Sequence, residues 1–189
     1  MQFIKTSILA LLCFIPVAHA EHGTGLYIGG GLGWANHGSD CDFGSIVASS
    51  CDTNSLGTKA FMGFQLVEQF SLEAGYYGLG ETRANPGGNS FKFEPIGLAL
   101  QGVVHLRLND QVVIQPKIGA FFWDADTTVN GLKVNDTGTS LVFGVGAEIG
   151  LARNLALRVD AEFFPNLGNE FTVGEADISL VSTSLVLRF

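Results

Sequence analysis

Four charged residues stand within strongly apolar stretches, where an ionised side chain is least expected. Glu73, Lys117, Glu148 and Arg158 each have apolar residues or glycine nearby on both sides, as in FSLEAGYY and LALRVDAEFF. Burying a charge is costly unless it is paired and hydrogen-bonded. If these segments enclose one interior, we expect the four residues to pair there. Such a network either holds the interior in shape or lines a narrow, gated pore, and the residues alone leave both interpretations open.

Two cysteines have the spacing of a small disulfide loop. Cys41 and Cys51 remain once Cys13 has left with the leader described below. An even pair in an exported chain indicates a disulfide. On the chain-entropy model, closing this loop would stabilise the folded state by roughly 3 kcal/mol. The alternative is two free thiols. A zinc site lacks a matching second pair of ligands, so we expect no bound metal.

The histidines do not form a convincing catalytic set. His105 and Arg107 have no neighbouring nucleophile with an orienting acid, which a catalytic histidine requires. His37, Ser39 and Asp40 form a short polar cluster of a kind that is normal in loops. We therefore expect no enzymatic activity and no cofactor. The net charge of −8 also argues against nucleic acid as a partner, because nucleic-acid binding requires a basic face.

Acidic residues are concentrated in the connecting segments. Their carboxylates would suit Ca²⁺ as a specific ligand set, but a solvated acidic rim that attracts cations without specificity is the simpler interpretation. These residues are Asp40, Asp42, Asp52, Asp124, Asp126, Asp136, Glu170, Glu175 and Asp177.

The first twenty residues are a separate segment. Residues 1–20 combine Lys5, an apolar stretch and the sequence Ala18-His19-Ala20 before Glu21, which is the pattern of a secretory signal peptide. The apolar stretch is too short to span a bilayer as a helix. We therefore predict cleavage after Ala20 and a single domain over residues 21–189.

The remainder of the chain alternates with a period of two, which predicts strands. Eight such segments follow one another, and the connections between them are alternately long and short. Short turns at one end and long loops at the other are typical of outer-membrane barrels, and an even strand count places both termini on the periplasmic side. The predicted fold is all-β, an eight-stranded antiparallel up-and-down transmembrane β-barrel. The long connectors are predicted at about 36–56, 81–90, 124–137 and 165–177, and the short ones at about 67–69, 109–111 and 153–154.

The two faces of these strands differ in chemistry. One face carries Leu, Ile, Val, Phe and Ala with aromatics near the strand ends, and the other carries glycines, charges and amides. A soluble lipocalin-like barrel is the inverse arrangement, apolar inside and polar outside. A water-soluble barrel with the polar face inside would bury charges such as Glu73 and Arg158 in a ligand pocket or expose the apolar face to water. The connector lengths and the signal peptide favour the opposite arrangement, with lipid outside and the polar face enclosed.

Several stretches together resemble the transmembrane domain of the OmpA family of Gram-negative outer-membrane proteins. They are LYIGGGLGWA, FMGFQLVEQFSLEAGYYGLG, FFWDADT, NDTGTSLVFGVGAEIGLARNLALRVDAEFF and SLVLRF. The resemblance covers the mature chain in strand order. It implies a barrel whose inward arginine and glutamates form a salt-bridge network that plugs or gates a narrow channel. By position, Arg158 matches the arginine, Glu73 and Glu148 match the glutamates, and Lys117 stands where the family has another inward cation.

The sequence departs from the family in two places. Val103 occupies an inward position where the family can carry a lysine. We therefore expect one cation fewer in the network and expect any gating to differ from that of the family. The best-known members continue into a periplasmic peptidoglycan-binding domain, which we do not expect here.

The final segment, STSLVLRF, is predicted to close the ring. Leu185, Leu187 and Phe189 should face lipid, Ser182, Ser184 and Arg188 should face inward, and the edges should pair with the first and seventh strands. The terminal aromatic resembles the signal by which barrels are handed to the outer-membrane assembly machinery, so loss of Phe189 should impair insertion more than stability.

The expected function is that of a monomeric, integral outer-membrane barrel with a structural or surface-interaction role. Its partners would be membrane lipid and lipopolysaccharide, the assembly machinery, and a host surface or phage at the loops. The alternative is a narrow gated porin for ions and small solutes.

Overall fold

The computed structural model describes residues 25–37, 42–43, 46–47, 51–52, 54–84, 91–129, 132–169 and 174–189. The predicted signal peptide lies outside these residues. Within them no helix is long and apolar enough to cross a membrane. The strands are β1 (Gly25–Asn36), β2 (Asp42–Phe43), β3 (Ile46–Val47), β4 (Cys51–Asp52), β5 (Asn54–Val67), β6 (Phe70–Gly78), β7 (Thr82–Ala84), β8 (Phe91–Val104), β9 (Leu106–Arg107), β10 (Val112–Val129), β11 (Leu132–Ala152), β12 (Leu155–Asn169) and β13 (Gly174–Arg188).

Eight antiparallel strands close into a barrel, as the sequence predicted. They are β1, β5, β6, β8, β10, β11, β12 and β13, and β9 extends β8. Neighbours in the ring are neighbours in sequence, and β8 pairs with β10. The ring closes where β1 pairs with β13 from Tyr27↔Arg188 to Asn36↔Ser179, and Phe189 N donates to Leu26 O at 2.9 Å. Closure leaves no unpaired sheet edge, which a strand in lipid requires.

The outside of the barrel is apolar and the inside holds the charges. Alternate residues of each strand point to opposite faces. On β12, Val159 is 44% exposed, whereas its neighbours Arg158 and Asp160 are fully buried. On other strands, Leu98, Ile118 and further large apolar side chains are more than half exposed. This distribution is the reverse of that in a soluble protein and matches the predicted lipid-facing band.

Two predicted loops are wrong in extent, because the strands continue through them. The predicted connector 124–137 is largely a paired hairpin that runs from Asp124↔Thr137 to Val129↔Leu132. The predicted connector 165–177 contains a bulge near Asn166, which has a positive φ of 52°, followed by pairing up to Asn169↔Gly174. Ladder hydrogen bonds extend both hairpins further than the apolar segments from which the strands were predicted.

The interior differs from the sequence prediction near the long-connector end. Glycines, charges and amides were expected along the whole inner face, but this end is filled by an apolar layer, here called the plug. In the plug, the rings of Tyr77, Phe121 and Phe164 pack edge to face, with centroids 4.8–6.0 Å apart. Its other buried members are Ala35, Leu79, Ala99, Trp123, Ala125, Val142, Leu167, Ile178 and Leu180.

Candidate functional site: the interior ion network

Below the plug, two lysines and two acids form the upper cluster of the interior. Lys59 Nζ on β5 reaches across the barrel to Asp160 Oδ2 at 2.7 Å and Glu162 Oε2 at 2.8 Å, both on β12. Lys117 Nζ on β10 donates to Asp160 Oδ1 at 2.8 Å. Tyr77 OH donates to Glu162 Oε1 at 2.8 Å, so the lowest ring of the plug is joined to the cluster.

Arg158 occupies the centre of the interior. Its Nη2 donates to Glu73 Oε2 at 2.9 Å and its Nη1 to Gln115 Oε1 at 3.0 Å. The guanidinium carbon lies 4.0 Å from the centroid of the Phe61 ring, a distance at which a cation is attracted to an aromatic face. Arg158 is fully buried, so these contacts replace the water that its charge has lost.

Tyr27 supports the central carboxylate from β1. Its hydroxyl donates to Glu73 Oε2 at 3.1 Å and lies 3.0 Å from Ser71 Oγ. Space for this ring comes from Gly63, which pairs with Tyr27 in the ladder. A Cβ at Gly63 would overlap the Tyr27 ring, so even alanine would displace it.

A separate ion pair lies nearer the short-turn end. Arg188 Nη2 donates to Glu148 Oε1 at 2.5 Å. Gln115 connects this pair to the centre, because its Nε2 donates to Glu148 Oε2 at 3.1 Å. Beneath the pair a cavity of about 480 Å³, here called the vestibule, is lined by Gln65, Glu68, His105, Arg107, Glu148 and Arg188, among others.

Charges in the network balance. Lys59, Lys117 and Arg158 face Glu73, Asp160 and Glu162, and Arg188 faces Glu148. Lys117 Nζ is also 3.7 Å from both Glu73 Oε1 and Glu162 Oε1. Each of the three acids Glu73, Asp160 and Glu162 therefore has more than one cation nearby. A buried network of this kind is tolerated in a low dielectric only when every charge is compensated.

The structure brings three of the four predicted residues into direct contact. Glu73 is within 4 Å of both Lys117 and Arg158, whereas Glu148 pairs with Arg188 and reaches Arg158 only through Gln115. Val103 is inward and fully buried, as expected.

Sequence reasoning left Lys59, Asp160, Glu162 and Gln115 out of this network. Their inward parity was a usable signal, since Lys59 alternates with outward Ala60 and Asp160 with outward Val159. Lys59 supplies a third cation where the prediction had only Lys117 and Arg158, so the expected deficit of positive charge at Val103 is offset from another strand.

Other predicted sites have simpler outcomes. Leu185, Leu187 and Phe189 are outward and 53%, 41% and 38% exposed. Cys41 lies outside the described residues, and the Cys41–Cys51 disulfide stays a prediction, as do any roles for Ser39 and Asp40. Among the residues that the structure describes, no group of three His, Cys, Asp or Glu side chains is placed to hold a metal ion.

Comparison with known proteins connects this barrel to a family. Residues 21–189 match the OmpA-like transmembrane domain. The chain is 30% identical over 201 residues to outer membrane protein A of Serratia marcescens, covering 98% of this chain and 56% of that protein. It is 30% identical over 192 residues to outer membrane protein A of Escherichia coli O157:H7, covering 98% and 55%. The chain thus spans about half the length of these relatives.

Solved structures share the fold at lower sequence identity. Neisserial surface protein A superposes with a TM-score of 0.64 at 16% identity, covering 89% of this chain and 100% of that one. OprG of Pseudomonas aeruginosa gives 0.60 at 12% identity, covering 89% and 97%. Ail, the attachment invasion locus protein of Yersinia pestis, gives 0.58 at 16% identity, covering 90% and 100%. With its closed barrel, apolar exterior and matching relatives, the chain belongs to the OmpA-like transmembrane domain family of integral outer-membrane β-barrels.

Proposed function

We propose that this barrel serves as a structural, monomeric membrane element that presents its long-connector end at the cell surface and does not conduct ions in the conformation described. The observation that carries this proposal is double closure of the interior. The plug fills one level, with Phe121, Phe164 and Leu180 fully buried, and the paired charges around Arg158 fill the next. An eight-stranded interior is only just wide enough for side chains to fill it.

Planar-bilayer recording tests the closure. Purified protein reconstituted at neutral pH is expected to give no current steps above the protein-free background, because an ion would have to cross both the apolar plug and the paired charges. A larger porin reconstituted in the same bilayer is the positive control. Regular steps from the wild-type chain would contradict the proposal and support the narrow gated porin.

The porin alternative draws on one feature of the interior. The vestibule gives the short-turn end an opening that leads to Glu148 and Arg188, so only part of the barrel length needs to open. In that case Arg158→Met would change the conductance of the wild-type steps. Unchanged conductance in the variant would reject a pore through the network.

The surface-interaction part of the proposal rests on the distribution of the connectors. Two fold neighbours carry names that refer to a surface or to attachment, namely Neisserial surface protein A and the Ail attachment invasion locus protein. We propose that the long connectors of this chain likewise meet the environment, with a host surface or phage as the class of partner. Lipopolysaccharide and lipid would contact the apolar exterior, and both termini would be periplasmic.

Epitope insertion tests this orientation. An epitope placed between Val129 and Leu132, at the tip of the β10–β11 hairpin, is expected to be detected on intact cells. The matched insertion in the short turn between Asn109 and Gln111 should be detected only after the outer membrane has been permeabilised. The two insertions lie at opposite ends of β10, so the reverse labelling pattern would invert the proposed topology.

We also propose that β13 carries the feature that the barrel assembly machinery recognises. Leu185, Leu187 and Phe189 form one outward apolar row on the strand that closes the ring. Phe189→Ser is expected to lower outer-membrane yield several-fold while the refolded barrel keeps nearly wild-type stability in detergent, because Phe189 keeps its backbone bond to Leu26. Leu141→Ser, an outward change on β11, is the control. Equal yields for both variants and the wild type would contradict this role.

A further inference from the structure

His105 is hydrogen-bonded at both ring nitrogens, between the vestibule and the ion network. Its Nε2 lies 2.8 Å from Ser71 Oγ and its Nδ1 lies 3.2 Å from Gln115 Nε2. The side chain is buried but lines the vestibule, so one edge of the imidazole is close to the opening at the short-turn end.

The direction of each hydrogen bond around Gln115 is set by its partners. Arg158 has only donors, so the Gln115 atom that it contacts at 3.0 Å must be the amide oxygen. Ionised Glu148 has only acceptors, so the atom it contacts at 3.1 Å must be the amide nitrogen. With the amide oriented in this way, His105 Nδ1 faces an N–H group and must accept. The imidazole is therefore neutral, with its proton on Nε2.

This tautomer sets a chain of donors leading to Glu73. His105 Nε2 donates to Ser71 Oγ, Ser71 donates to Tyr27 OH, and Tyr27 donates to Glu73 Oε2, over distances of 2.8, 3.0 and 3.1 Å. Both bonds of His105 thus end on groups that contact Arg158, one through Gln115 and the other through Glu73.

We propose that His105 and Gln115 form a proton-sensitive coupling between the vestibule and the ion network. A proton from periplasmic water that binds Nδ1 places an N–H against the N–H of Gln115. The amide must then rotate so that its oxygen accepts from His105. Arg158 Nη1 consequently loses its acceptor and Glu148 Oε2 loses its donor. Gln115 then no longer connects Arg158 to the Glu148–Arg188 pair. No covalent bond other than the new N–H changes.

The charges around His105 come from several strands and have both signs. Glu148 on β11 and Glu73 on β6 attract an imidazolium, whereas Arg188 on β13 and Arg158 on β12 repel it. Glu68 and Arg107, which pair with each other at 3.6 Å, also line the vestibule with His105. The hydrogen-bonded neighbours Ser71, Tyr27 and Gln115 are uncharged at neutral pH. When the imidazole binds a proton, Nδ1 changes from an acceptor to a donor, and burial disfavours that charged form, so the response is expected in acid and not near neutral pH. This inference concerns the response of the barrel to acid and does not depend on whether the barrel conducts.

Nitrogen NMR of the ¹⁵N-labelled chain in detergent micelles tests the coupling directly. At neutral pH, His105 is expected to show a protonated Nε2 and an unprotonated Nδ1. On acidification, the side-chain amide of Gln115 and the guanidinium of Arg158 should shift with the same midpoint as His105. Gln101 is the internal control, because its Nε2 donates to Tyr77 OH, in the plug, and its signal should not follow that midpoint. A proton on Nδ1 at neutral pH, or a Gln115 amide that stays fixed while His105 titrates, would overturn the proposal.

Two variants separate coupling from a merely structural role. In His105→Gln the Gln115 and Arg158 signals should no longer move over that pH range, and continued movement would assign the transition to another group. In Gln115→Glu a carboxylate replaces the amide donor and can accept from a protonated ring, so the His105 midpoint should rise by about one pH unit. An unchanged midpoint in a folded Gln115→Glu barrel would contradict the proposed contact.

Discussion

Replacing Arg158 with methionine is expected to lower the free energy of unfolding by about 3–5 kcal/mol. The substitution retains most of the side-chain length but removes the charge and every donor. Glu73 would lose its 2.9 Å partner and Gln115 Oε1 its 3.0 Å donor, in an interior that water does not reach freely. Asp160 also contacts Lys59 and Lys117, and it would lose a third nearby cation, because its Oδ2 is 3.5 Å from Arg158 Nε. Urea unfolding in lipid vesicles, followed by tryptophan fluorescence and by heat-modifiable gel mobility, measures the loss.

Arg107→Met is the matched control for this prediction. Arg107 also forms an ion pair, with Glu68 at 3.6 Å, but both side chains are more than half exposed at the short-turn end. Exposed pairs contribute about 0–1 kcal/mol, so this variant should unfold close to the wild type. If Arg158→Met were as stable as Arg107→Met, the interior network would not be what holds the barrel together.

The plug is expected to be nearly as sensitive as the network. Phe164→Ala should cost about 3–5 kcal/mol, because it leaves a cavity beside Phe121 and Tyr77 that the closed barrel cannot collapse to fill. The ring of Phe164 is fully buried, with centroids 4.8 Å from Phe121 and 5.5 Å from Tyr77. The same unfolding measurement applies.

The adjacent residue provides the control. Phe163 points outward and packs against Phe143 with centroids 5.3 Å apart, on the lipid-facing side. Lipid chains can fill the space left by Phe163→Ala, so the expected loss is about 1 kcal/mol, the value of one aromatic pair. Equal losses at both positions would mean that the plug is not a packed core and does not close the interior.

The sequence carries enough information for the barrel because the membrane imposes a strict pattern. Outward residues must be apolar and strands must close into a ring, so period-two alternation and connector length predict the eight strands and the pairing of β1 with β13. Where that constraint ends, the prediction ends too. β10 and β11 continue to pair beyond the segments that alternation predicted, up to Val129↔Leu132.

The interior follows a different rule, which explains the incomplete site. Alternation shows that Lys59 and Glu162 face inward, but their partners depend on strand stagger and barrel closure. Lys59 meets Asp160 and Glu162 across residue separations of 101 and 103, which no local pattern reveals. Likewise, Glu148 faces inward as expected and lies opposite Arg158 in the ladder, but its side chain pairs with Arg188. The prediction of a polar inner face was also wrong at the plug. Apolar residues such as Phe121 and Phe164 can face inward in a barrel of this width.

The wide sequence separation of the ion pairs has a consequence for how the barrel must form. Arg158 and Glu73 are 85 residues apart, and Lys117 and Asp160 are 43 residues apart. The pairs Arg158–Glu73, Lys117–Asp160 and Lys59–Asp160 each join strands of different hairpins, so a partly assembled sheet would carry unpaired ions into hydrocarbon. We therefore expect the barrel to be stable only once β13 has paired with β1, so that assembly is all-or-none. Long-range pairing of this kind also makes folding slow, so chains that wait at the membrane depend on something that holds the unclosed strands until the ring is complete.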